Sequence, residues 1–263
     1  MKIAVSGKGG VGKTTLSAGL AASFARGGAN VIAVDGDPDS NLAATLGFPS
    51  PDDITPIGEM EELIAERTGA EPGRTGSIFT LNPKVDDIPD DFCPEHAGIR
   101  LLSMGGGTRE GGSGCLCPEN AFLRSLMSHV IFGVDDVVIM DMVAGIEHLT
   151  RGTARGVDVL LAVVEPGRRS LETAGRVRRL SGDLGIGELW VVANKVRGDA
   201  DLEFITGQLE DLEVVASLPY SAEVVESGMS QEGMAEVLDG PVGQEIGRIR
   251  ARLSETFGGS AET

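Results

Sequence analysis

Continuous apolar runs of strand length recur along the chain and alternate with longer stretches of helical spacing. The strand-like runs lie at residues 3–6, 30–35, 136–141, 157–164, 189–194 and 214–218. Helical spacing appears at residues 14–26, 60–67, 170–184, 201–209 and 242–257. Because parallel strands that are covered on both faces read as unbroken apolar runs, the pattern predicts a doubly wound, mostly parallel α/β sheet flanked by helices.

The stretch at residues 49–118 departs from this alternation, because it combines a short helical pattern, an acidic Pro-containing run and a Gly-rich tract. We interpret it as an irregular insertion on a single domain that spans residues 1–263. The C-terminal segment 242–257 is amphipathic, and two interpretations are open for it. It lies on a membrane surface, or it packs on the sheet as a surface helix, which its acidic residues favour.

A phosphate-binding loop is predicted at residues 7–14, which match the pattern GxxxxGK[ST] between a strand and a helix. Backbone N–H groups of such a loop surround a phosphate, the lysine neutralises the β- and γ-phosphates, and the hydroxyl ligates Mg²⁺. The candidate nucleotide-binding residues of this segment are Gly9, Gly10, Val11, Gly12, Lys13, Thr14 and Thr15. The alternative is a chance Gly-rich turn, which the flanking strand and helix disfavour.

A second lysine, Lys8, gives the loop the form KGGVGKTT. This form resembles the deviant Walker A family of P-loop NTPases, which includes the nitrogenase iron protein, the MinD and ParA positioning ATPases and metallocentre-assembly ATPases. The resemblance implies a Mg²⁺-dependent ATPase in which Lys8 reaches across a homodimer to the nucleotide of the other subunit. Charge that develops on the transferred phosphoryl group needs such a cation, so Lys8 and Lys13 are candidate catalytic residues.

The same resemblance implies roles for residues that follow other strands. Asp37 is expected to hold Mg²⁺ through water, Asp39 to position the attacking water, and Asp141 to act as the Walker B carboxylate for Mg²⁺. Residues 142–149 then form a second switch. The residues expected around the nucleotide base are Asn194, Lys195, Pro219 and Tyr220. For the acidic segment the alternative is an ordinary turn, since Asp, Pro and Ser are common turn residues.

Two cysteines, Cys115 and Cys117, are separated by one residue. In an extended segment their thiols point to the same side and offer two ligands to a soft metal ion. A tetrahedral site takes four ligands, and a two-fold axis through the site supplies the other pair. Nickel, zinc or copper(I) suits such a site, whereas incidental thiols or a redox pair are the alternatives. Cys93 and His96 are more simply explained as surface residues of the insertion.

Five sequence segments together resemble the CooC-type accessory ATPases of nickel-dependent carbon monoxide dehydrogenase. These segments are KGGVGKTT, DGDPDSN, GCLCPE, DMVAGIEHLTRG and EPGRRS. The resemblance implies that Cys115 and Cys117 bind Ni²⁺ or Zn²⁺ at the dimer interface. It further implies that ATP hydrolysis supports nickel insertion into the dehydrogenase, which would be the protein partner.

Composition narrows the partners further. With 22 basic and 40 acidic residues the formal net charge is -18, which disfavours nucleic acid and anionic membrane surfaces as partners. Three cysteines form no disulfide framework, and no signal peptide is evident, so a reducing cytoplasmic location is expected. The basic residues concentrate at Arg168, Arg169, Arg176, Arg178 and Arg179. This cluster fits an acidic docking partner or a solvated helix face.

Two other functions remain open beside the metallochaperone. The phosphate loop and the amphipathic C-terminal segment also suit a positioning ATPase of the MinD or ParA type, acting on a membrane or scaffold. Electron transfer through a shared iron–sulfur cluster is the third, although cysteines separated by a single residue make a cubane cluster awkward.

Overall fold

The structure is a computed structural model that describes residues 1–37, 41–70, 78–105, 118–142, 151–209, 211–228 and 233–258. The strands in chain order are β1 Lys2–Gly7, β2 Val31–Asp35, β3 Glu95–His96, β4 Ile99–Ser103, β5 Val137–Asp141, β6 Val159–Val164, β7 Leu189–Val196 and β8 Glu213–Pro219. Within the described residues these eight strands form one sheet in the order β3-β4-β2-β5-β1-β6-β7-β8. All neighbours pair in parallel except β3 and β4.

Helices cover both faces of this sheet. The α-helices are α1 Lys13–Arg26, α2 Leu42–Thr45, α3 Glu61–Thr68, α4 Ile88–Asp91, α5 Pro118–Phe132, α6 Arg151–Ala154, α7 Arg168–Leu184, α8 Asp199–Gln208, α9 Ala222–Ser227 and α10 Pro241–Phe257. Short 3-10 helices lie at Pro51–Asp53, Ile57–Glu59 and Gly233–Asp239.

Alternate residues of each strand enter two separate hydrophobic cores. Ala4 of β1 joins the core beneath α3, α5 and α7, whereas its neighbours Ile3 and Val5 join the core beneath α1 and α10. Aliphatic side chains supply most of both cores, which explains the unbroken apolar runs of the strands. The predicted doubly wound, mostly parallel fold is confirmed.

The expected irregular insertion contains regular elements that the sequence analysis did not predict. β4 pairs in parallel with β2 and extends the sheet, and α3 packs against α5, the helix that begins where the insertion ends. Arg100 interrupts the apolar pattern of β4, but its guanidinium pairs with Asp90 and Asp136, so the strand tolerates the charge.

The C-terminal helix α10 packs on the sheet. Its apolar side chains Val242, Ile246, Ile249 and Leu253 are buried in the core that α1 shares, and Arg250 donates a hydrogen bond to the Ser23 carbonyl at 2.8 Å. The interpretation as a surface helix is therefore confirmed. Among the described helices, none has the length and apolar character that a membrane span requires.

Candidate functional site

The phosphate loop connects β1 directly to α1, as the motif predicts. Gly12 has φ 96°, in the left-handed region that favours glycine, and a Cβ there would lie 2.2 Å from Asn194 Nδ2. A Cβ on Gly7 would lie 2.5 Å from the Val163 carbonyl oxygen of the neighbouring strand. Both glycines are therefore required by close approaches of the backbone. Lys13 begins α1 and is buried, and Thr15 follows in the first turn.

The Asn194–Lys195 pair at the end of β7 contacts the phosphate loop from the side. Asn194 Nδ2 donates to the Val11 carbonyl at 2.8 Å, and Lys195 Nζ donates to the Gly10 carbonyl at 2.5 Å. The Lys195 N–H donates to Asn194 Oδ1 at 2.8 Å. Lys195 has φ 58°, which is unusual for a residue with a side chain and is tolerated because these bonds fix it.

Glu165, directly after β6, is a site residue that sequence reasoning missed. Its carboxylate lies 3.6 Å from Lys8 Nζ and 3.1 Å from Lys195 Nζ. Its N–H donates to Ser170 Oγ at 3.0 Å, which ties the residue to the first turn of α7. An acidic residue at the carboxyl end of a strand beside β1 was the available signal.

Asp141 ends β5 beneath the loop and holds two hydroxyl groups. Thr14 Oγ1 donates to it at 2.7 Å and Ser17 Oγ at 3.2 Å. Burial raises the pKa of the Asp141 carboxyl, against the opposing hydrogen bonds from Thr14 and Ser17. Thr14 and Asp141, which were both expected at Mg²⁺, are thus joined by a direct hydrogen bond, and the structure adds Ser17 to them.

Asp35 is a second buried carboxyl and lies beside Asp141 in the sheet register. Burial raises its pKa to about 6, although backbone N–H groups of Leu42 and Asp37 both donate to it at 3.1 Å. The buried carboxyls of Asp35 and Asp141 and the Thr14 hydroxyl together form an oxygen-rich set of possible metal ligands. Such a set fits Mg²⁺, which prefers hard oxygen ligands.

Pro219 and Tyr220 reach the same edge of the sheet, because β8 pairs with β7. The Tyr220 N–H donates to the Val196 carbonyl at 2.9 Å. The Arg197 guanidinium lies 5.4 Å from the centroid of the Tyr220 ring, so a cation–π contact holds Arg197 beside this ring. The carboxyl ends of β1, β2, β5, β6, β7 and β8 therefore lie at one edge of the sheet, which is where parallel α/β sheets bind ligands.

Several expected residues lie outside the described part of the chain. These are Asp39, Cys115, Cys117 and residues 143–149 of the second switch. Of the remaining candidates, Cys93 is half-buried against the core, and desolvation raises the pKa of its thiol to about 12. The His96 ring lies tilted against Phe48, with ring centroids 5.3 Å apart. Within the described residues no group of three or more His, Cys, Asp and Glu side chains is placed to hold a metal ion.

Comparison with known proteins identifies the family to which the chain belongs. Residues 2–234 match the CobQ/CobB/MinD/ParA nucleotide binding domain, and the chain belongs to that family. Within it, the chain is 46% identical to the carbon monoxide dehydrogenase accessory protein CooC of Rhodospirillum rubrum, over 85% of either chain. This confirms the resemblance to the CooC-type accessory ATPases. An uncharacterized ATP-binding protein of Methanocaldococcus jannaschii is 45% identical over 95% of this chain and 96% of its own.

A solved structure with the same architecture is the septum site-determining protein MinD of Pyrococcus horikoshii, complexed with Mg-ADP. It superposes with a TM-score of 0.69 over 99% of this chain and 98% of its own, at 18% identity. At 18% identity, this similarity shows a shared fold alone.

Proposed function

We propose that the chain is an ATP-dependent maturation factor that binds nickel, or zinc, and supports nickel insertion into carbon monoxide dehydrogenase. The observation that carries the proposal is a complete phosphate loop in a chain that is 46% identical to a carbon monoxide dehydrogenase accessory protein. The proposal has three parts, which are the nucleotide chemistry, the metal site shared by two chains and the protein partner. The cytoplasmic location stays a prediction.

The nucleotide chemistry follows from the residues around the loop. Lys13, at the start of α1, would neutralise the terminal phosphates of ATP. Thr14 and Asp141, already joined by a 2.7 Å hydrogen bond, would hold Mg²⁺ directly or through water, and Asp37 would do so through water. Mg²⁺ bound there would neutralise charge on the phosphate oxygens. Asp39 would position the water that attacks the γ-phosphate.

Hydrolysis would depend on a homodimer. Lys8 would reach the nucleotide of the partner subunit and stabilise the charge that develops on the transferred phosphoryl group. The half-exposed position of the Lys8 side chain, at the open edge of the loop, supports this role. The second lysine would therefore couple hydrolysis to dimerisation.

The metal site would use the thiolates of Cys115 and Cys117. Two thiolates from each of two chains complete the tetrahedral set that a single chain leaves half filled. Cys93 is a poor third ligand, because burial raises the pKa of its thiol to about 12 and a metal binds the thiolate. Hydrolysis would change the distance between the two chains and release the ion.

The dehydrogenase partner would dock on the basic face of α7. Five arginines are exposed on this helix, in a chain of net charge -18: Arg168, Arg169, Arg176, Arg178 and Arg179. Arg178 pairs with Asp211 at 3.0 Å, so the other four are the better candidates for an acidic partner. A solvated helix face stays the alternative.

Nickel binding tests the proposal. Equilibrium dialysis with Mg-ATP and Ni²⁺ should give one ion per two wild-type chains, because four thiolates complete the site. The variant Cys115→Ser/Cys117→Ser should lose this binding. Cys93→Ala is the matched control, since it removes a thiol that stays protonated, and it should bind nickel like the wild type. Equal nickel binding by the double variant would refute the metal site.

A positioning ATPase of the MinD or ParA type is the second candidate, which the shared fold favours. A positioning ATPase that binds a membrane through its C-terminal segment would need the apolar face of that helix to be free. The apolar face of α10 is instead buried on α1 and β8. ATP-dependent sedimentation with anionic liposomes would support this candidate, and its absence would favour the maturation factor.

A further inference from the structure

One carboxylate, that of Glu165, joins two lysines from separate parts of the chain. Lys8 belongs to the phosphate loop and Lys195 lies near the carboxyl end of β7, and their ammonium groups lie 3.6 Å and 3.1 Å from the two Glu165 oxygens. Lys195 also donates to the Gly10 carbonyl, so the loop, β6 and β7 are linked through this group. Glu165 therefore connects the loop lysine Lys8 to Lys195 at the end of β7.

The two ion pairs differ in length and in supporting contacts, although their side chains are similarly exposed. The Lys195 pair is shorter and is supported by the second hydrogen bond to Gly10. The Lys8 pair is longer, and its side chains are 39% and 26% exposed. A pair of this exposure shifts an equilibrium by at most about five-fold. The Lys8 contact is thus strong enough to bias the position of Lys8 and weak enough to open.

We infer that Glu165 is a positioning residue that holds Lys8 on its own protomer and sets how readily two protomers join around ATP. The inference rests on the proposed role of Lys8 at the partner's nucleotide. A carboxylate that stayed on the Lys8 ammonium would cancel the positive charge that phosphate oxygens attract. The ion pair must therefore open when Lys8 crosses the interface, and two such pairs open in each symmetric dimer.

Glu165→Gln tests this inference, because glutamine keeps the shape and an oxygen for Lys195 while removing the charge. In Mg-ATP, analytical ultracentrifugation should give a dimer dissociation constant lower than that of the wild type by up to about 25-fold, which is about five-fold for each of two pairs. Glu172→Gln is the matched control, since Glu172 is exposed on the neighbouring helix α7. It should dimerise like the wild type.

Two further measurements separate positioning from a general structural role. The ADP affinity of monomeric Glu165→Gln should stay within about two-fold of wild type, since glutamine keeps an oxygen for Lys195 and both ion pairs of Glu165 are partly exposed. Combining Glu165→Gln with Lys8→Ala should give no gain in dimerisation over Lys8→Ala, because Glu165 acts through Lys8. ADP affinity and dimerisation that fall together, or a gain without Lys8, would overturn the inference.

The outcomes also distinguish this inference from the proposed function. Wild-type protein that stays monomeric at saturating Mg-ATP would overturn both the proposed dimer and the role of Glu165. ATP-driven dimerisation of Lys8→Ala at the wild-type level would do the same. Wild-type protein that dimerises through Lys8, with an unchanged constant in Glu165→Gln, would overturn the role of Glu165 alone.

Discussion

At the scale of single residues, the phosphate loop depends on glycine where a side chain has no room. Gly12 has φ 96°, and a Cβ there would meet the Asn194 amide that fixes the loop. Gly175, in the middle of α7, has open space around its Cα. The same substitution at the two positions should therefore have opposite effects on stability.

Gly12→Ala should lower the free energy of unfolding by at least about 2 kcal/mol, because a left-handed conformation costs a non-glycine residue about 1–2 kcal/mol before the clash is added. It should also weaken ATP binding, since Asn194 must move away from the Val11 carbonyl. Gly175→Ala should raise the free energy of unfolding by about 0.5–1 kcal/mol, because alanine is favoured over glycine within a helix. Urea unfolding measures the stability of the two variants, and ATP titration measures nucleotide binding by Gly12→Ala. Equal stability of the two variants would contradict this prediction.

The residue scale also shows which parts of the site the sequence predicts. The loop is contiguous, so its motif predicts Lys13, Thr14 and the turn without knowledge of the fold. The local signal for Glu165 is weak, an acidic residue directly after an apolar run, because its partners Lys8 and Lys195 meet it only when β1, β6 and β7 lie side by side. Pairings of distant segments are what a single sequence conveys least.

At the scale of elements, apolar periodicity predicts the strands on either side of β1 and the helices α1, α7 and α10. It misses β4 because Arg100 breaks the apolar run, and its counter-charges Asp90 and Asp136 are brought near by other elements. It also misses α5, whose buried side chains Phe122 and Leu126 recur at helical spacing. A charged residue in a strand is thus compatible with burial when acidic partners surround it.

The packing of α10 on the sheet can be tested by truncating its core. Ile246 is fully buried and its Cδ1 lies against Gly19 of α1. Ile246→Ala should therefore lower the free energy of unfolding by about 2–5 kcal/mol. Val225→Ala, on the 55% exposed side chain of α9, should change it by less than about 0.5 kcal/mol. Similar urea midpoints for the two variants would indicate that α10 is loosely attached.

At the scale of the whole molecule, the account depends on two chains acting as one. The doubly wound sheet brings the loop, Asp141 and Glu165 to one edge, in a chain that belongs to a family of nucleotide-binding domains. In the proposed function, Lys8 serves the nucleotide of the partner subunit, and Cys115 and Cys117 supply half the ligands of a tetrahedral site. The central claim is that one dimer supplies both complements.

The most direct test is the native mass and nickel content of the protein with Mg-ATP and Ni²⁺, measured together by native mass spectrometry. The account predicts a species of twice the chain mass that carries one nickel ion, because four thiolates from two chains form one site. Cys115→Ser/Cys117→Ser should give the same dimer without nickel. A monomer that carries its own nickel ion, or a dimer whose nickel survives the double substitution, would contradict the central claim.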